Sequence, residues 1–144
     1  MTTPFIDTDV IVRLLTGDDP EKQASSASLF EQVQAGTLEA AAPDTVIADA
    51  VYVLSSPRLY NLPRSEVREL LTPLVRLKGF KVKNRRVVLK ALDLYGSMNI
   101  DFGDAFIAAS MEQAGSKIVY SYDTDFDGIT GIERIEPSTG NNKR

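Results

Sequence analysis

The chain has no cysteine and no histidine in its 144 residues. The first absence excludes disulfides, zinc–thiolate centres and thiol nucleophiles. The second excludes histidine-based triads and histidine-ligated metals. A general base must then be a carboxylate, a lysine, a tyrosine or water activated by a cation. No run approaches the roughly 18 apolar residues that span a bilayer, and the N-terminus lacks the pattern of a signal peptide. The expectation is a protein that works where it is made, in the cytoplasm, with no membrane partner. A hydrophobic fraction of 43% and a charged fraction of 25% are ordinary for a globular chain. The length fits one domain with one core, expected over residues 1–136, with 137–144 as a disordered tail.

The net charge of −4 hides an asymmetry. Ten Lys/Arg fall between Arg58 and Lys90, accompanied only by Glu66 and Glu69, so this segment carries +8 and the remainder −12. The densest part is the run of Arg76, Lys78, Lys81, Lys83, Arg85 and Arg86. A basic stretch beside an acidic one is what a metal-dependent nuclease needs, one for phosphates and one for the cation. The same pattern also describes ordinary solvated helix faces.

Apolar periodicity and turn residues predict the elements. Residues 3–6 read as a short buried strand ending at Asp7, followed by a helix through Val10, Ile11, Leu14 and Leu15 that Gly17 closes. Asp19 and Pro20 are the N-cap and first residue of a second helix, which stops near Gly36. Residues 38–42 form a strand, and Pro43-Asp44 open a third helix with Ile47, Val51 and Leu54 on its periodic face. After a loop to Leu62, Pro63 starts a basic helix that Pro73 ends or kinks. Residues 80–82 read as a strand, 84–98 as a helix, and 101–114 as a helix ended by Gly115. Residues 117–121 and 131–136 are the last strands. Alternation of strands and helices predicts an α/β three-layer sandwich, a short parallel sheet flanked by helices.

In such a sheet, ligands gather beyond the carboxyl ends of the strands. Asp7 and Asp123 follow strand ends, while Asp49 and Asp104 sit early in helices that can face the same crevice. Asp49 lies among Val46, Ile47, Val51 and Leu54, where an interior aspartate is a poor helix former and calls for a partner. Asp104 falls in the first helical turn, three residues after the N-cap candidate Asp101, with Gly103 leaving room beside it. Each acid also has a bland role as a cap, a dipole partner or a turn former. Several carboxylates without histidine or cysteine favour a hard divalent cation such as Mg²⁺, and with it hydrolytic phosphate chemistry.

Three stretches carry a resemblance. They are Phe5-Ile6-Asp7-Thr8-Asp9-Val10-Ile11-Val12-Arg13-Leu14-Leu15, Asp101-Phe102-Gly103-Asp104-Ala105-Phe106-Ile107-Ala108-Ala109, and Ser121-Tyr122-Asp123-Thr124-Asp125-Phe126-Asp127. In this order, over nearly the whole chain, they resemble a PIN domain, and within it the VapC-type toxin ribonucleases. The resemblance implies RNA cleavage with Mg²⁺ or Mn²⁺ held by acids. Carried over by position, the catalytic acids are Asp7, Asp49, Asp104 and Asp123, with Asp123 or Asp125 completing the metal ligands. The sequence leaves open which of Asp123, Asp125 and Asp127 binds. Thr8 matches a hydroxyl that often assists at the site. The basic residues from Arg76 to Arg86 are the candidate RNA contacts. The resemblance further implies a cognate antitoxin that inserts into the acidic groove, and a homodimer.

Two positions depart from the family pattern. Asp49 stands where glutamate is usual, one methylene shorter, so it draws the cation closer, works through a bridging water, or leaves the site. Asp9 stands where Asn or Ser is common and adds negative charge. One rival reading is a catalytically weakened module of the same fold that binds RNA or protein. Another is a haloacid-dehalogenase-like phosphatase, suggested by Asp7-Thr8-Asp9-Val10 and Gly103-Asp104. Against that rival stand the short chain, the missing Ser/Thr motif and the absence of a role for Asp49.

Overall fold

Pro4 and Ile6 pair with the middle of the first strand rather than forming a strand of their own. The Ala41 N–H donates to Pro4 C=O at 2.8 Å and the Ile6 N–H to Ala41 C=O at 2.9 Å, leaving a single parallel bridge at Phe5. The expected strand over residues 3–6 is thus shortened. Pro4 has no N–H to extend the ladder, and Asp7 immediately caps the next helix. The structure is a computed structural model and describes residues 2–139. Residues 137–139 are exposed and carry no helix or strand, and the rest of the expected tail, 140–144, lies outside the described residues.

Among the described residues six helices and four short strands follow one another. They are α1 (Thr8–Leu15), α2 (Pro20–Ala35), β1 (Ala40–Ala42), α3 (Asp44–Ser55), α4 (Arg64–Arg76), β2 (Phe80–Val82), α5 (Arg85–Ser97), α6 (Phe102–Ala114), β3 (Ile118–Tyr120) and β4 (Glu133–Ile135). A 3₁₀ turn at Thr124–Gly128, not expected from the sequence, joins β3 to β4. This is an α/β architecture of helices around short parallel pairs, β1 with β2 and β3 with β4. β1 is central in its group. Ala41 bonds the N-terminal segment, whereas Ala40 and Ala42 bond Gly79 and Lys83 on the other side. Parallel pairing puts the residues that follow these strands, Asp7, Pro43 and Lys83, at one end of the sheet.

Capping explains the helix boundaries. Asp19 accepts the Lys22 N–H at 3.1 Å with Pro20 in the first turn, and Gly36 closes α2 in the left-handed region at φ 82°. The Leu38 N–H still returns to Gln32 C=O, so β1 begins at Ala40 rather than Leu38. α1 ends one residue before the expected Gly17, at Thr16, whose hydroxyl donates to Val12 C=O at 2.8 Å. Pro73 neither ends nor replaces α4, which runs to Arg76. Its ring leaves the Glu69 carbonyl without a helical donor, and burial of Val67, Leu71 and Val75 on one face holds the helix through it.

One apolar cluster ties these elements together. Phe30 and Phe80 meet edge-to-face with centroids 5.6 Å apart, an arrangement aromatic rings favour. Two arginines finish the scaffold from within. The Arg64 guanidinium lies 4.6 Å from the Tyr95 ring centroid and donates to the carbonyls of Tyr95, Met98 and Ile100. It thereby satisfies the open end of α5 and sets the approach to α6. Arg85 reaches back to the carbonyls of Leu77 and Phe80, fixing the turn into β2.

Candidate metal centre

Asp104 is the third residue of α6, Asp123 lies three residues past the end of β3, and Asp125 sits in the 3₁₀ turn. One carboxylate oxygen of each lies within 4.8 Å of the others. Local bonds set their directions. The Asp123 N–H donates to Ser121 Oγ at 2.9 Å, and the Asp125 N–H donates to Asp123 Oδ1 at 2.9 Å. Asp101 holds the N-cap position of α6 but makes no side-chain capping bond.

The cluster is electrostatically unfavourable as it stands. Asp104 is half-buried, and its Oδ2 is fully enclosed with no hydrogen-bond partner. Burial, followed by contact with Asp123 and the charges of Asp123, Asp101 and Asp125, pushes the Asp104 pKa up to about 6. Like charges in a low-dielectric recess produce such a shift, and a cation among them reverses it. A carboxylate with one orphaned oxygen, grouped with two further carboxylates, fits a hard divalent cation bound through oxygen. The residues present therefore suit Mg²⁺ or Mn²⁺.

Asp127, the third acid of that run, is turned elsewhere. The Arg134 Nε donates to Asp127 Oδ1 at 2.9 Å and its Nη2 to Asp127 Oδ2 at 3.2 Å. This bidentate pair holds the Asp127 carboxyl below the usual range. Arg134 also bonds Glu136 at 2.8 Å and the Ser121 carbonyl at 3.2 Å, clamping β4 to the end of β3. Of the three acids in this run, Asp123 and Asp125 join the close group with Asp104, and Asp127 is paired with Arg134.

Asp7 and Asp49 are placed differently. Both are exposed, and they share a depression of about 590 Å³ with Thr8, Asp9, Arg13 and Tyr52. Neither joins the close group of Asp104, Asp123 and Asp125 among the described residues. Asp7 Oδ1 accepts the Thr8 N–H at 2.6 Å, which is its capping role. The expectation that Asp49 needs a compensating partner inside an apolar helix is corrected. The buried face of α3 is Val46, Ile47, Ala50, Val51 and Leu54, and Asp49 projects from the other side into water. Arg13, the cation of this depression, is engaged by Asp18 at 3.3 Å. A hydrogen bond from Tyr60, 2.7 Å away, is the main reason the Asp18 carboxyl lies below its ordinary pKa. Tyr52 borders both this depression and a larger cavity of about 840 Å³ that reaches Asp101 and Gly103. A Cβ on Gly103 would meet nothing within 4 Å, so this glycine opens onto space rather than permitting close packing.

The basic residues divide by position. Lys83 and Arg86 are exposed beyond the carboxyl end of β2, the same end of the sheet as Asp7. Arg76 and Lys78 precede β2, at the opposite end, and Lys81 pairs with Glu39 at 4.0 Å. Arg85 is turned inward onto carbonyls, and its Nε is buried, so it is a structural residue rather than an exposed RNA contact. Sequence reasoning passed over Asp101 as a contributor to the field on Asp104. Its i, i+3 spacing was the signal, because such residues share one helical face.

Helices around short parallel pairs, with a carboxylate group at the start of a helix and beyond the end of a strand, define an α/β domain with a candidate metal site. The sequence pattern of the PIN domain matches residues 5–132, and the chain belongs to that family. PIN domains are a family of metal-dependent nucleases. Membership sets aside the phosphatase alternative. A search of curated proteins finds no match. Among the described residues no helix is long and apolar enough to cross a membrane.

Proposed function

We propose that this chain is a Mg²⁺- or Mn²⁺-dependent endoribonuclease of the VapC type, the toxin of a toxin–antitoxin pair, acting in the cytoplasm. The observation that carries the reading is the close group of Asp104, Asp123 and Asp125, in which Asp104 also has an enclosed, unpartnered Oδ2. These three residues would hold the cation. When bound, the cation lowers the pKa of attacking water and neutralises charge that builds on the phosphate. Asp7 and Asp49 orient water and the RNA backbone from the neighbouring depression, with Thr8 beside them. Lys83 and Arg86 contact phosphates from the same end of the sheet. A single domain over residues 1–136 carries the activity. A cognate antitoxin that inserts a basic side chain among the carboxylates restrains it, and the chain pairs as a homodimer.

The test is cleavage of RNA by purified protein with Mg²⁺, Mn²⁺ or EDTA, beside the variants Asp7→Asn and Asp104→Asn. Metal-dependent cleavage lost in both variants is the expected result. Folded protein that cleaves with neither metal overturns the reading. A second reading, a catalytically weakened module that binds RNA or protein, draws on one observation. Asp7 and Asp49 stand outside the close carboxylate group. Binding of RNA without cleavage under either metal favours it.

A further inference from the structure

β3 and the bend after it lead to the carboxylate group and leave two tyrosines in solvent. Tyr120 is 64% exposed and Tyr122 is 70% exposed, preceded at the same two-residue spacing by Ile118 at 42%. Ile118 and Tyr120, two apart on β3, project from one face of the strand, and Tyr122 follows in the bend just beyond it. Among the described residues neither ring stacks on another aromatic, and neither hydroxyl has a hydrogen-bond partner. The packing of the chain does not account for them.

The segment that carries the two rings is held by backbone hydrogen bonds. Between them, the Ser121 N–H donates to Ile135 C=O at 3.2 Å, and the Ser121 carbonyl accepts from Arg134 at 3.2 Å. Ser121 Oγ accepts the N–H of Asp123, a member of the carboxylate group. Tyr122 thus sits one residue, and Tyr120 three residues, before Asp123 on a hydrogen-bonded segment.

We propose that Tyr120 and Tyr122 form a stacking platform for unpaired bases of single-stranded RNA, positioning the adjoining phosphate at Asp104, Asp123 and Asp125. The proposal rests on the nuclease reading of that centre. Electrostatics explain why stacking is needed here. A polyanion approaching several carboxylates is repelled, and Arg134 nearby is committed to Asp127 and Glu136. Stacking on an aromatic ring attracts any base without needing a cation. Bases inside a duplex have their faces covered, so the platform selects single strands. Tyr120 and Tyr122 are positioning residues, since the rings hold bases and do not act on the reacting phosphate.

The test measures binding apart from cleavage. Full-length Asp104→Asn protein is titrated into a fluorescently labelled mixed-sequence RNA, single-stranded or annealed as a duplex, with anisotropy as the readout. Tyr120→Ala and Tyr122→Ala on this background are each expected to weaken single-strand binding about 5- to 100-fold and to leave duplex binding unchanged. Tyr122→Phe and Tyr122→Trp should restore it, which a merely structural role does not predict. In otherwise wild-type protein the alanine variants should raise KM more than they lower kcat. Alanine variants that bind single strands like their parent overturn the platform, as does a Tyr122→Leu variant as good as Phe. Conversion of a dimer to a monomer by the alanine variants, seen by sedimentation with RNA binding unchanged, shows instead that a second copy covers this face. Tyrosine-dependent binding without cleavage by the wild-type chain under Mg²⁺ or Mn²⁺ overturns the nuclease reading and leaves the platform standing.

Discussion

Arg134 grips Asp127 with two parallel bonds of 2.9 and 3.2 Å, engaging the one acid of the Asp123–Asp127 run that stands outside the close group with Asp104. The pair raises the Arg134 pKa further above its ordinary value and lowers that of Asp127. Its partner bond to the Ser121 carbonyl ties the same arginine to the strand that delivers Asp123.

Asp127→Asn should therefore leave Mn²⁺ affinity close to that of the parent, while Asp123→Asn or Asp125→Asn weakens it at least tenfold. Calorimetric titration of Mn²⁺ distinguishes these outcomes. Equal losses for all three would mean that Asp127 also ligates. Arg134→Ala should lower the melting temperature and also weaken Mn²⁺ binding, because Ser121 and Asp123 lose their anchor.

Asp104 links the centre to stability. Its pKa lies at about 6 in the folded chain against an ordinary 3.8. The folded state thus binds this proton more tightly than the unfolded state. The stability so contributed is present below about pH 3.8 and lost as pH rises through about 6. In EDTA at pH 7.5, Asp104→Asn should melt at a higher temperature than the parent, and the difference should shrink as pH falls toward 4. A lower melting temperature for the variant at pH 7.5 would contradict the repulsion described.

Two neighbouring arginines should behave in opposite ways. Arg85 is bonded to interior carbonyls, so Arg85→Ala should cost about 1.5–3 kcal/mol in urea unfolding. Arg86→Ala and Lys83→Ala should change stability little. Each should reduce the slope of log affinity for single-stranded RNA against log salt by about 0.7.

The core anchor beneath the sheet is Phe80, fully buried and edge-to-face with Phe30. Phe80→Ala should destabilise the fold by about 3–5 kcal/mol, measured by denaturant unfolding. A loss below 1 kcal/mol would show that the cavity collapses around the site.

Much of the architecture was legible because capping and periodicity act within a turn or two of chain. Asp19, Pro20 and Gly36 bound α2 where local rules place them, and Gly115 closes α6. Asp49 shows how a local reading misleads. Its apolar neighbours suggested burial, yet the spacing of residues 46, 47, 50, 51 and 54 already puts position 49 off their face. Pro73 shows the reverse, since a proline that should end a helix is overridden by burial of the flanking face.

The sequence by itself determined the chemistry on offer: carboxylates without histidine or cysteine, a basic middle segment, and the order of helices and strands. These follow from residue type and from interactions only a few positions long. The tertiary structure alone decided which groups meet. It brought Asp104 to Asp123 and Asp125, gave Asp127 to Arg134, turned Arg85 inward, and left Tyr120 and Tyr122 in solvent. Those outcomes depend on how distant segments pack and on which atoms lose water, and both are set by the core as a whole.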